Sequence, residues 1–411
     1  MSYDVLIVGA GVAGVQVAAS LRKQGFAGSI GIATRERHHP YELPPLSKGF
    51  LRGEVDEHEL HQRPIDFFAS EGIDLLLETE VRALSADAHT AQCADGTEIL
   101  YGRLVWAAGG TPRSLPLPGM SLPGVHSMRT LDDARMLADR LRDASSAAII
   151  GGGHIGLELA AAFRHSNVQT TVLEAADRLL ARVTSPVVSD YYQRLHTAHG
   201  VNIVTGAVIE SIEGSDHATG VCLADGTVVP ADIVIVGVGL APSIAPLEAA
   251  GAECSNGVNV DAEGRTSLPD VYAAGDCANR PNPYFEGQRV RLESVPDAND
   301  QARIVAQSIM GLPVDSPAVP WFWSHQYETR MQTVGLLSGY DEAVVHGDVD
   351  DEKFSVVYLR AGRIIAMDCV NRPRDFALGK KLVGMGTPAT PDELRSIAEL
   401  KQLLEPLHTR V

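Results

Sequence analysis

The chain opens with a short apolar run, three spaced glycines and then a helical pattern. Residues 5–8 are all apolar, which is typical of a parallel strand buried on both faces. Gly9, Gly11 and Gly14 follow at G-x-G-x-x-G spacing, and residues 15–25 continue with helical periodicity. Such glycines let backbone N–H groups and a helix N-terminus approach an anion closely. The pattern therefore predicts a dinucleotide-binding unit at the start of the chain.

The same pattern occurs a second time in the middle of the chain. Gly151, Gly153 and Gly156 again lie between a short apolar run and a helical segment. Each copy is followed by an Asp-Gly hairpin turn and, 14 residues after the Asp, by a glycine that ends a buried apolar run. These pairs are Asp95 with Gly109 and Asp225 with Gly239. The repeat predicts two related dinucleotide domains, the second inserted into the first, with seams near 110–113 and 239–243.

An acidic residue at the end of the second strand holds a ribose hydroxyl in domains of this kind. In the second copy the candidate is Glu174, which closes the run QTTVLE. A carboxylate there favours NADH over NADPH because it repels a 2′-phosphate, although Arg178 close by weighs against that preference. In the first copy the candidate is Glu36, which follows the run SIGIA.

Further segments are predicted to lie close to the nucleotide that the first glycine loop binds. A short strand in SLPDVYAAGDCA ends at Gly275 and Asp276, a small turn that places a carboxylate near a sugar-like chain hydroxyl. A helix is predicted to start near Pro296, with its N-terminus facing a polarised ring carbonyl. The proline-rich residues 38–51 predict a rigid loop that presents Lys48.

The region from about residue 317 has a different pattern. The runs EAVVHGD, KFSVVYLR and RIIAMDCV alternate apolar and polar positions and predict an antiparallel sheet with a turn at Ala361 and Gly362. The segment PDELRSIAELKQLLEPL has helical spacing and predicts one amphipathic helix.

Composition and charge narrow the function. The chain of 411 residues has a formal net charge of −18, which argues against nucleic acid or an anionic membrane as its main partner. No basic and apolar leader precedes the first strand, and the longest apolar run is too short to span a bilayer, so a cytoplasmic location is expected. The five cysteines are widely scattered, which leaves neither a thiol redox motif nor a zinc or iron–sulfur site.

Eight segments carry a specific family resemblance. In chain order they are GAGVAG, PYELPPLSK, WAAGGTPR, RTLDDA, IIGGGHIGLE, YAAGDCA, ESVPDANDQA and PWFWSHQYE. With them the chain resembles, over nearly its whole length, the FAD- and NADH-dependent ferredoxin reductases that serve haem-thiolate monooxygenases and Rieske-type dioxygenases. The resemblance implies a glutathione-reductase-like α/β fold, with two Rossmann-like dinucleotide-binding domains and a C-terminal α+β domain. The implied FAD domain is 1–110 with 240–316, the NAD domain is 111–239, and the C-terminal domain is 317–411.

The residue patterns and the resemblance together indicate which residues bind the cofactors. Those for FAD are Gly9, Gly11, Ala13, Gly14, Arg35, Glu36, Lys48, Val81, Ala108, Gly109, Arg129, Gly275, Asp276, Val295 and Trp323. Those for NAD are Gly151, Gly153, His154, Ile155, Gly156, Glu158, Glu174 and Gly239. Two residues depart from the family pattern: Arg35 stands where many relatives carry an acid, and His154 replaces a frequent tyrosine.

The implied activity combines a two-electron donor with a one-electron acceptor. NADH gives up a hydride, a [2Fe–2S] ferredoxin accepts single electrons, and FAD converts between the two. The chain is therefore expected to be a flavoprotein oxidoreductase, an NADH-dependent ferredoxin reductase of an oxygenase system. Lys48 is expected to stabilise the negative charge of reduced flavin, and Glu158 to pair with it where nicotinamide docks.

Two alternative functions remain open from the sequence. One is delivery of electrons to rubredoxin or to a small quinone-like acceptor. The other is a flavoprotein that uses NADH to change shape or oligomeric state, as the apoptosis-inducing-factor relatives do. Because ferredoxins are usually acidic, the ferredoxin hypothesis requires a local basic patch. The candidate docking residues are Arg63, Arg303, Arg330, Arg372 and Lys380.

Overall fold

The computed structural model describes residues 1–405, which form two compact units. The first unit contains 1–42, 57–111 and 241–320, and the second contains 43–56, 112–240 and the chain from 321 onward. Two short strands, Gly110–Pro112 and Leu240–Pro242, pair with each other where the chain passes from one unit to the other.

The second unit includes two segments that the sequence assigned elsewhere, to the first domain and to a third one. These are 43–56 and the chain from 321 onward. Leu51 and Phe354 show the reason, because both pack in the same buried apolar cluster as Phe163 of the middle segment. The last residues of the implied third domain, 406–411, lie outside the described part of the chain.

The first unit is built on a parallel sheet. Its central strand, Ser2–Val8, pairs with Ile30–Ala33 on one side and with Glu98–Trp106 on the other, and Val271–Ala273 returns to pair with Glu98–Trp106. Alternate residues of the central strand face two separate apolar clusters, as its unbroken apolar run predicts. The other strands are Ile73–Leu76, Val81–Ser85, Thr90–Cys93, Cys254–Ser255, Gly257–Asn259, Ala278–Pro281 and Arg289–Val290. The helices are Val12–Lys23, Phe67–Ser70, Ala245–Ala249 and Val295–Ile309, with 3-10 turns at His58–Leu60 and Pro283–Phe285.

The second unit contains the same arrangement again. Strand Ser146–Ile150 pairs in parallel with Gln169–Glu174 and with Ile233–Val236. In both copies an antiparallel three-stranded ladder carries the Asp-Gly hairpin, so the predicted repeat is present. The other strands of this copy are Val125–His126, Asn202–Thr205, Ile209–Gly214, Ala218–Leu223 and Val228–Pro230. Its helices are Leu131–Leu141, His154–His165 and Pro186–Ala198, and the segment 43–56 adds the π-helical turn Leu46–Phe50.

The C-terminal part of the second unit is an antiparallel sheet covered by a helix. The sheet order is Trp321–Gln326, Thr329–Gly335, Arg363–Val370, Lys353–Arg360 and Glu342–Asp348, and the helix is Pro373–Gly384. The three predicted runs coincide with three of these strands. Ala361 and Gly362 both have positive φ, 49° and 69°, as the predicted hairpin turn requires.

The predicted helix over PDELRSIAELKQLLEPL is wrong as a single element. The helix Pro391–Ser396 ends at Ile397, whose backbone is extended with φ −75° and ψ 139°, and a 3-10 turn follows at Leu400–Leu404. Ile397, Leu400 and Leu403 are all buried, so the interrupted segment still packs its apolar side chains inward. The last two residues of the segment, 406–407, lie outside the described part of the chain.

Residues 1–405 contain neither a membrane-spanning helix nor a cluster of metal ligands. No helix there is long and apolar enough to cross a membrane. The same residues contain no group of three or more His, Cys, Asp or Glu side chains placed to hold a metal ion.

A buried carboxylate ties the C-terminal sheet to the middle segment of the second unit. Asp368 is fully buried, and Oδ2 accepts hydrogen bonds from Thr184 Oγ1 at 2.5 Å and from the Tyr358 hydroxyl at 2.6 Å. Thr333 Oγ1 donates to Oδ1 at 2.6 Å. Burial raises the pKa of Asp368, and the three hydroxyl donors oppose that shift.

Replacing Asp368 with alanine is expected to destabilise the protein by about 2–4 kcal/mol, because three buried hydroxyls lose their acceptor. Urea unfolding followed by circular dichroism measures the change. Asp392→Ala is the matched control, since that side chain is 98% exposed and pairs with Arg395 at the surface. The control should unfold like the wild type. Equal unfolding midpoints for the two variants would contradict the structural role of Asp368.

Candidate functional site

The first glycine loop brings bare backbone to the end of strand Ser2–Val8. Gly9 has a φ of +111°, and a Cβ there would overlap the carbonyl oxygen of Ala107. A Cβ on Gly14 would overlap the carbonyl oxygen of Gly9, so helix Val12–Lys23 approaches the strand only because this position is glycine. These two glycines are therefore required by the packing of the chain against itself.

Gly11 differs, because apart from its two chain neighbours no atom of residues 1–405 lies within 4 Å of a Cβ placed on it. It caps helix Val12–Lys23 without a side-chain hydrogen bond, and the first turn contains no acidic residue. The N–H groups of that turn are thus left for an external acceptor at the positive end of the helix dipole. This bare cradle fits the pyrophosphate of a dinucleotide such as FAD.

The second loop repeats this geometry before helix His154–His165. Gly151 has a φ of +112°, and a Cβ on Gly156 would overlap the carbonyl oxygen of Gly151. Gly153, like Gly11, has no described atom within 4 Å of a Cβ placed on it. Its helix also lacks a side-chain cap and an acid in the first turn. A second pyrophosphate fits here for the same reason.

The carboxylate of Glu174 is fixed against the second glycine loop. Oε2 accepts the backbone N–H of Gly152 at 2.6 Å, and Oε1 accepts that of Ala176 at 2.8 Å. The guanidinium of Arg178 turns inward and donates to Ser189 Oγ at 2.6 Å. The carboxylate of Glu174 is therefore held beside the second glycine loop, and the guanidinium of Arg178 is hydrogen-bonded to other residues of the chain.

The acid in the first copy has different contacts. Glu36 lies three residues beyond strand Ile30–Ala33, and its Oε2 accepts the Tyr41 hydroxyl at 2.5 Å. Arg35 beside it is exposed. The contacts of Glu36 and Arg35 with a ribose remain predictions.

Lys48 lies in a π-helical turn, Leu46–Phe50. Its φ of −128° and ψ of −109° interrupt the helical geometry at Lys48 itself. Nζ lies 2.6 Å from Oε2 of Glu158, so the expected ion pair forms. The Glu158 side chain is 2% exposed and that of Lys48 is 16% exposed, which makes this a nearly buried pair.

Two serines that the sequence reasoning missed complete the contacts of Glu158. Ser47 Oγ donates to Oε2 at 2.7 Å, and Ser324 Oγ donates to Oε1 at 2.6 Å. The only sequence signal was position: Ser47 precedes Lys48, and Ser324 follows Trp323 within the segment PWFWSHQYE. No sequence motif marks a serine as functional merely because it is adjacent to a predicted site residue.

Ser324 is itself held by a buried polar network. Gln326 Nε2 donates to Ser324 Oγ at 3.1 Å, and Gln326 Oε1 lies 2.7 Å from Nε2 of His196. The Tyr327 hydroxyl lies 3.3 Å from Nδ1 of His196. Burial lowers the pKa of His196 to about 4, so its ring is neutral at neutral pH. A continuous set of hydrogen bonds therefore runs from His196 to Glu158.

His154 opens the helix that carries Glu158, one turn earlier. Its ring packs on Phe322 with the ring centroids 4.6 Å apart. Burial lowers the pKa of His154 to about 4, with an opposing contribution from Glu158, and the ring is therefore neutral. Its Nδ1 is buried and has no hydrogen-bond partner among residues 1–405. An orphaned ring nitrogen here offers a contact for a polar group of a ligand.

Both predicted returning segments pack beside the first glycine loop, because Ala274 and Ala298 lie in one apolar cluster with Ala13. A Cβ on Gly275 would lie 2.8 Å from the Cβ of Ala13, so the turn that precedes Asp276 lies beside the loop. The other segment forms the predicted helix, Val295–Ile309, which begins after the N-cap Ser294. Contacts of Asp276 and Val295 with a flavin remain predictions.

The remaining candidates for cofactor binding are distributed over both units. Val81, Ala108 and Gly109 lie in the first unit, and Arg129, Ile155, Gly239 and Trp323 lie in the second. Their individual contacts with FAD or NAD also remain predictions.

The five basic candidates for partner docking differ in the contacts that their charged groups make within the chain. Arg303 and Arg372 already pair with carboxylates of the same unit. The ammonium group of Lys380 lies 4.2 Å from the centroid of a tryptophan ring, a cation–π contact. Arg63 lies in the first unit and Arg330 in the second.

Comparison with known proteins finds similarity along nearly the whole chain. Residues 3–302 match the family described as pyridine nucleotide-disulphide oxidoreductase, and residues 321–404 match the one described as reductase C-terminal. The 5,5′-dehydrodivanillate O-demethylase ferredoxin reductase subunit of Sphingobium sp. is 48% identical over 95% of this chain and 96% of its own. A rubredoxin-NAD(+) reductase of Pseudomonas putida is 38% identical over 91% of this chain and 98% of its own. A chain in the crystal structure of the covalent putidaredoxin reductase–putidaredoxin complex is 40% identical, with a TM-score of 0.94 and 97% of both chains covered. These matches confirm the predicted fold class.

Replacing Gly11 with alanine is expected to leave folding unchanged and to weaken flavin binding, because the added methyl group fills the bare cradle without touching the chain. We expect at least about tenfold weaker retention of flavin. Gly14→Ala is the matched comparison and should reduce both folding and flavin retention. Visible absorbance of the purified protein and its thermal unfolding temperature measure the two effects. A Gly11→Ala protein that keeps a full complement of flavin would contradict the assignment.

Replacing His196 with glutamine is expected to make the free energy of unfolding fall less steeply as the pH is lowered. The pKa of His196 is about 4 in the folded protein, against an ordinary value of 6.5. Between these values the unfolded chain binds a proton that the folded protein does not, so the free energy of unfolding falls as the pH drops from 6.5 towards 4. One such group contributes a slope of about 1.4 kcal/mol per pH unit. Urea unfolding at several pH values in this window measures the slope, and an unchanged slope in the variant would contradict a neutral His196.

Proposed function

Because the chain belongs to the pyridine nucleotide-disulphide oxidoreductase family and continues into a reductase C-terminal domain, we propose that it is an FAD-dependent NADH:ferredoxin reductase. Its acceptor is a [2Fe–2S] ferredoxin that supplies a monooxygenase or a Rieske dioxygenase. The observation that carries the proposal is the presence of two dinucleotide cradles in one chain that also holds the buried Lys48–Glu158 pair. The ferredoxin reductase subunit and the putidaredoxin complex among the similar proteins support the choice of acceptor.

The residues of the chain bind and orient the two cofactors and balance the charge of the flavin. FAD, when bound, converts the two-electron hydride of NADH into the single electrons that an iron–sulfur protein accepts. Gly11 and Gly153 leave backbone N–H groups for the two pyrophosphates. We assign Lys48 to the flavin, where its positive charge favours the reduced state, and Glu158 holds that ammonium group at 2.6 Å.

A disulfide substrate, which the family name suggests, is not supported by the cysteines. All five are free, and three of them, Cys93, Cys222 and Cys254, lie in separate strands. Burial raises the pKa of the Cys277 and Cys369 thiols to about 12, so both stay protonated and unreactive. Unpaired cysteines are typical of a reducing compartment, which supports a cytoplasmic location as part of the proposal.

NADH is the proposed electron donor. The carboxylate of Glu174 is fixed by two backbone N–H groups, so it cannot turn away from the ribose position without losing both bonds. Arg178, the candidate cation four residues after Glu174, is engaged with Ser189 and with the carbonyl of Ala181. Charge repulsion therefore disfavours NADPH.

Anaerobic stopped-flow mixing tests the proposal. The purified holoprotein is mixed with NADH or NADPH, and then with a [2Fe–2S] ferredoxin, a rubredoxin or a small quinone. We expect fast bleaching of the flavin by NADH, slow bleaching by NADPH, and rapid transfer to the ferredoxin. Faster transfer to rubredoxin or to the quinone would overturn the choice of acceptor. Slow reduction with a long-lived NADH charge-transfer band would favour an NADH-sensing role instead.

Replacing Glu174 with glutamine is expected to lower the preference for NADH over NADPH about tenfold, because the repelling charge is lost while an acceptor oxygen for the loop remains. The ratio of the two reduction rates measures the preference. Glu36→Gln is the matched control, since it removes the acid at the corresponding place in the first copy. An equal change in both variants would contradict the assignment of Glu174 to the NADH ribose.

A further inference from the structure

The carboxylate of Glu158 is held by segments that are far apart in sequence. Its side chain is 2% exposed, and burial of an ionised carboxylate is costly unless several donors compensate it. Oε2 receives both the Ser47 hydroxyl and the Lys48 ammonium group. Oε1 receives the hydroxyl of Ser324, on strand Trp321–Gln326 of the C-terminal sheet. The two oxygens are therefore anchored from opposite parts of the unit's sequence.

The polar network behind Ser324 has only one consistent direction of hydrogen bonding. The amide Nε2 of Gln326 donates to Ser324 Oγ, so the single hydroxyl hydrogen of Ser324 is left to point at Glu158. Because Oε1 of Gln326 can only accept, the facing Nε2 of His196 carries the ring hydrogen. Nδ1 of His196 then accepts the Tyr327 hydroxyl. Each donor in the series points towards Glu158.

Burial makes this network rigid. Ser324, Gln326 and His196 are at most 1% exposed, so water does not compete for their hydrogen bonds. The same strand also packs Phe322 against His154 at the start of the Glu158 helix. The C-terminal sheet thus contacts the helix at two points, and one of them acts directly on the carboxylate.

We propose that Ser324 is a positioning residue for the reduction of the flavin by NADH. Its hydroxyl, aimed by Gln326 and His196, fixes the orientation of the Glu158 carboxylate, and that carboxylate holds the Lys48 ammonium group in one place. The inference rests on the proposed function and deepens it. The C-terminal sheet is then part of the reaction machinery, in addition to any role in binding a partner.

The test compares two buried serines of one sheet. Ser324→Ala removes the donor to Glu158, and Ser355→Ala is the matched control, because the fully buried Ser355 donates to the carboxylate of Asp375 at 2.9 Å. Ser324→Thr keeps the hydroxyl, and Gln326→Met removes only the group that aims it. The visible absorption band of the oxidised flavin is recorded in each holoprotein, followed by single-turnover reduction over a range of NADH concentrations.

Ser324→Ala is expected to shift the flavin band and to lower the limiting rate of reduction about ten- to a hundredfold, with the NADH dissociation constant changed less than about twofold. Gln326→Met should change the flavin band and the limiting rate in the same direction, but by a smaller amount. Ser324→Thr and Ser355→Ala should match the wild type, although Ser355→Ala loses as much thermal stability as Ser324→Ala. A flavin band and rate in Ser324→Ala equal to those of Ser355→Ala would overturn the inference.

The two proposals fail in different ways. A wild-type holoprotein that NADH does not reduce would overturn the proposed function. The absorption band of the oxidised flavin needs no NADH, so its comparison across the variants still tests whether Ser324 positions the charges of Glu158 and Lys48.

Discussion

The buried negative charge of Glu158 is the constraint on which much of the second unit depends. An ionised carboxylate that is almost removed from water costs several kcal/mol unless donors surround it. Three donors do so here: the Ser47 hydroxyl, the Lys48 ammonium group and the Ser324 hydroxyl. They come from segments before and after the helix that carries Glu158. The need to satisfy one charge, together with the apolar packing of Leu51, explains why 43–56 and the chain from 321 onward join the middle segment.

The two copies of the dinucleotide unit show how one backbone pattern serves two purposes. Both have a strand, a glycine turn and a helix whose first N–H groups lack a side-chain cap. The position of Glu158 in the second copy is occupied by Gln16 in the first, 142 residues earlier. Gln16 donates to Ser20 and accepts from the guanidinium of Arg63, so the first copy has no carboxylate at this position. The first copy thus has a side-chain amide at this position, whereas the second places an ion pair next to its loop. This difference fits a cofactor that stays bound in one copy and a nucleotide that reacts at the other.

The limits of sequence reasoning are visible in particular elements. The apolar runs, the Asp-Gly hairpins and the glycine spacing all correspond to observed elements, because each is a constraint within a few residues. The segment from 391 onward has good helical spacing, yet the chain becomes extended at Ile397 and continues as a 3-10 turn. The proline-rich segment around Lys48 contains a π-helical turn, which the loop prediction did not include. Neither the break at Ile397 nor the turn at Lys48 follows from the local pattern of residues.

The sequence by itself determined the two glycine cradles, the repeat and the alternating strands of the C-terminal sheet. Gly14 is required by a contact with Gly9 inside one strand–turn–helix unit, so the glycine spacing can be recognised from the local sequence, whereas Gly9 also packs against Ala107 from a distant part of the chain. Only the tertiary structure decided that Ser47 and Ser324 meet at Glu158, from 111 and 166 residues away. Serine hydroxyls have no characteristic spacing, and their value here arises only once burial removes water from the carboxylate. Compensation of a buried charge is set by the surroundings of the group, and those surroundings exist only in the folded chain.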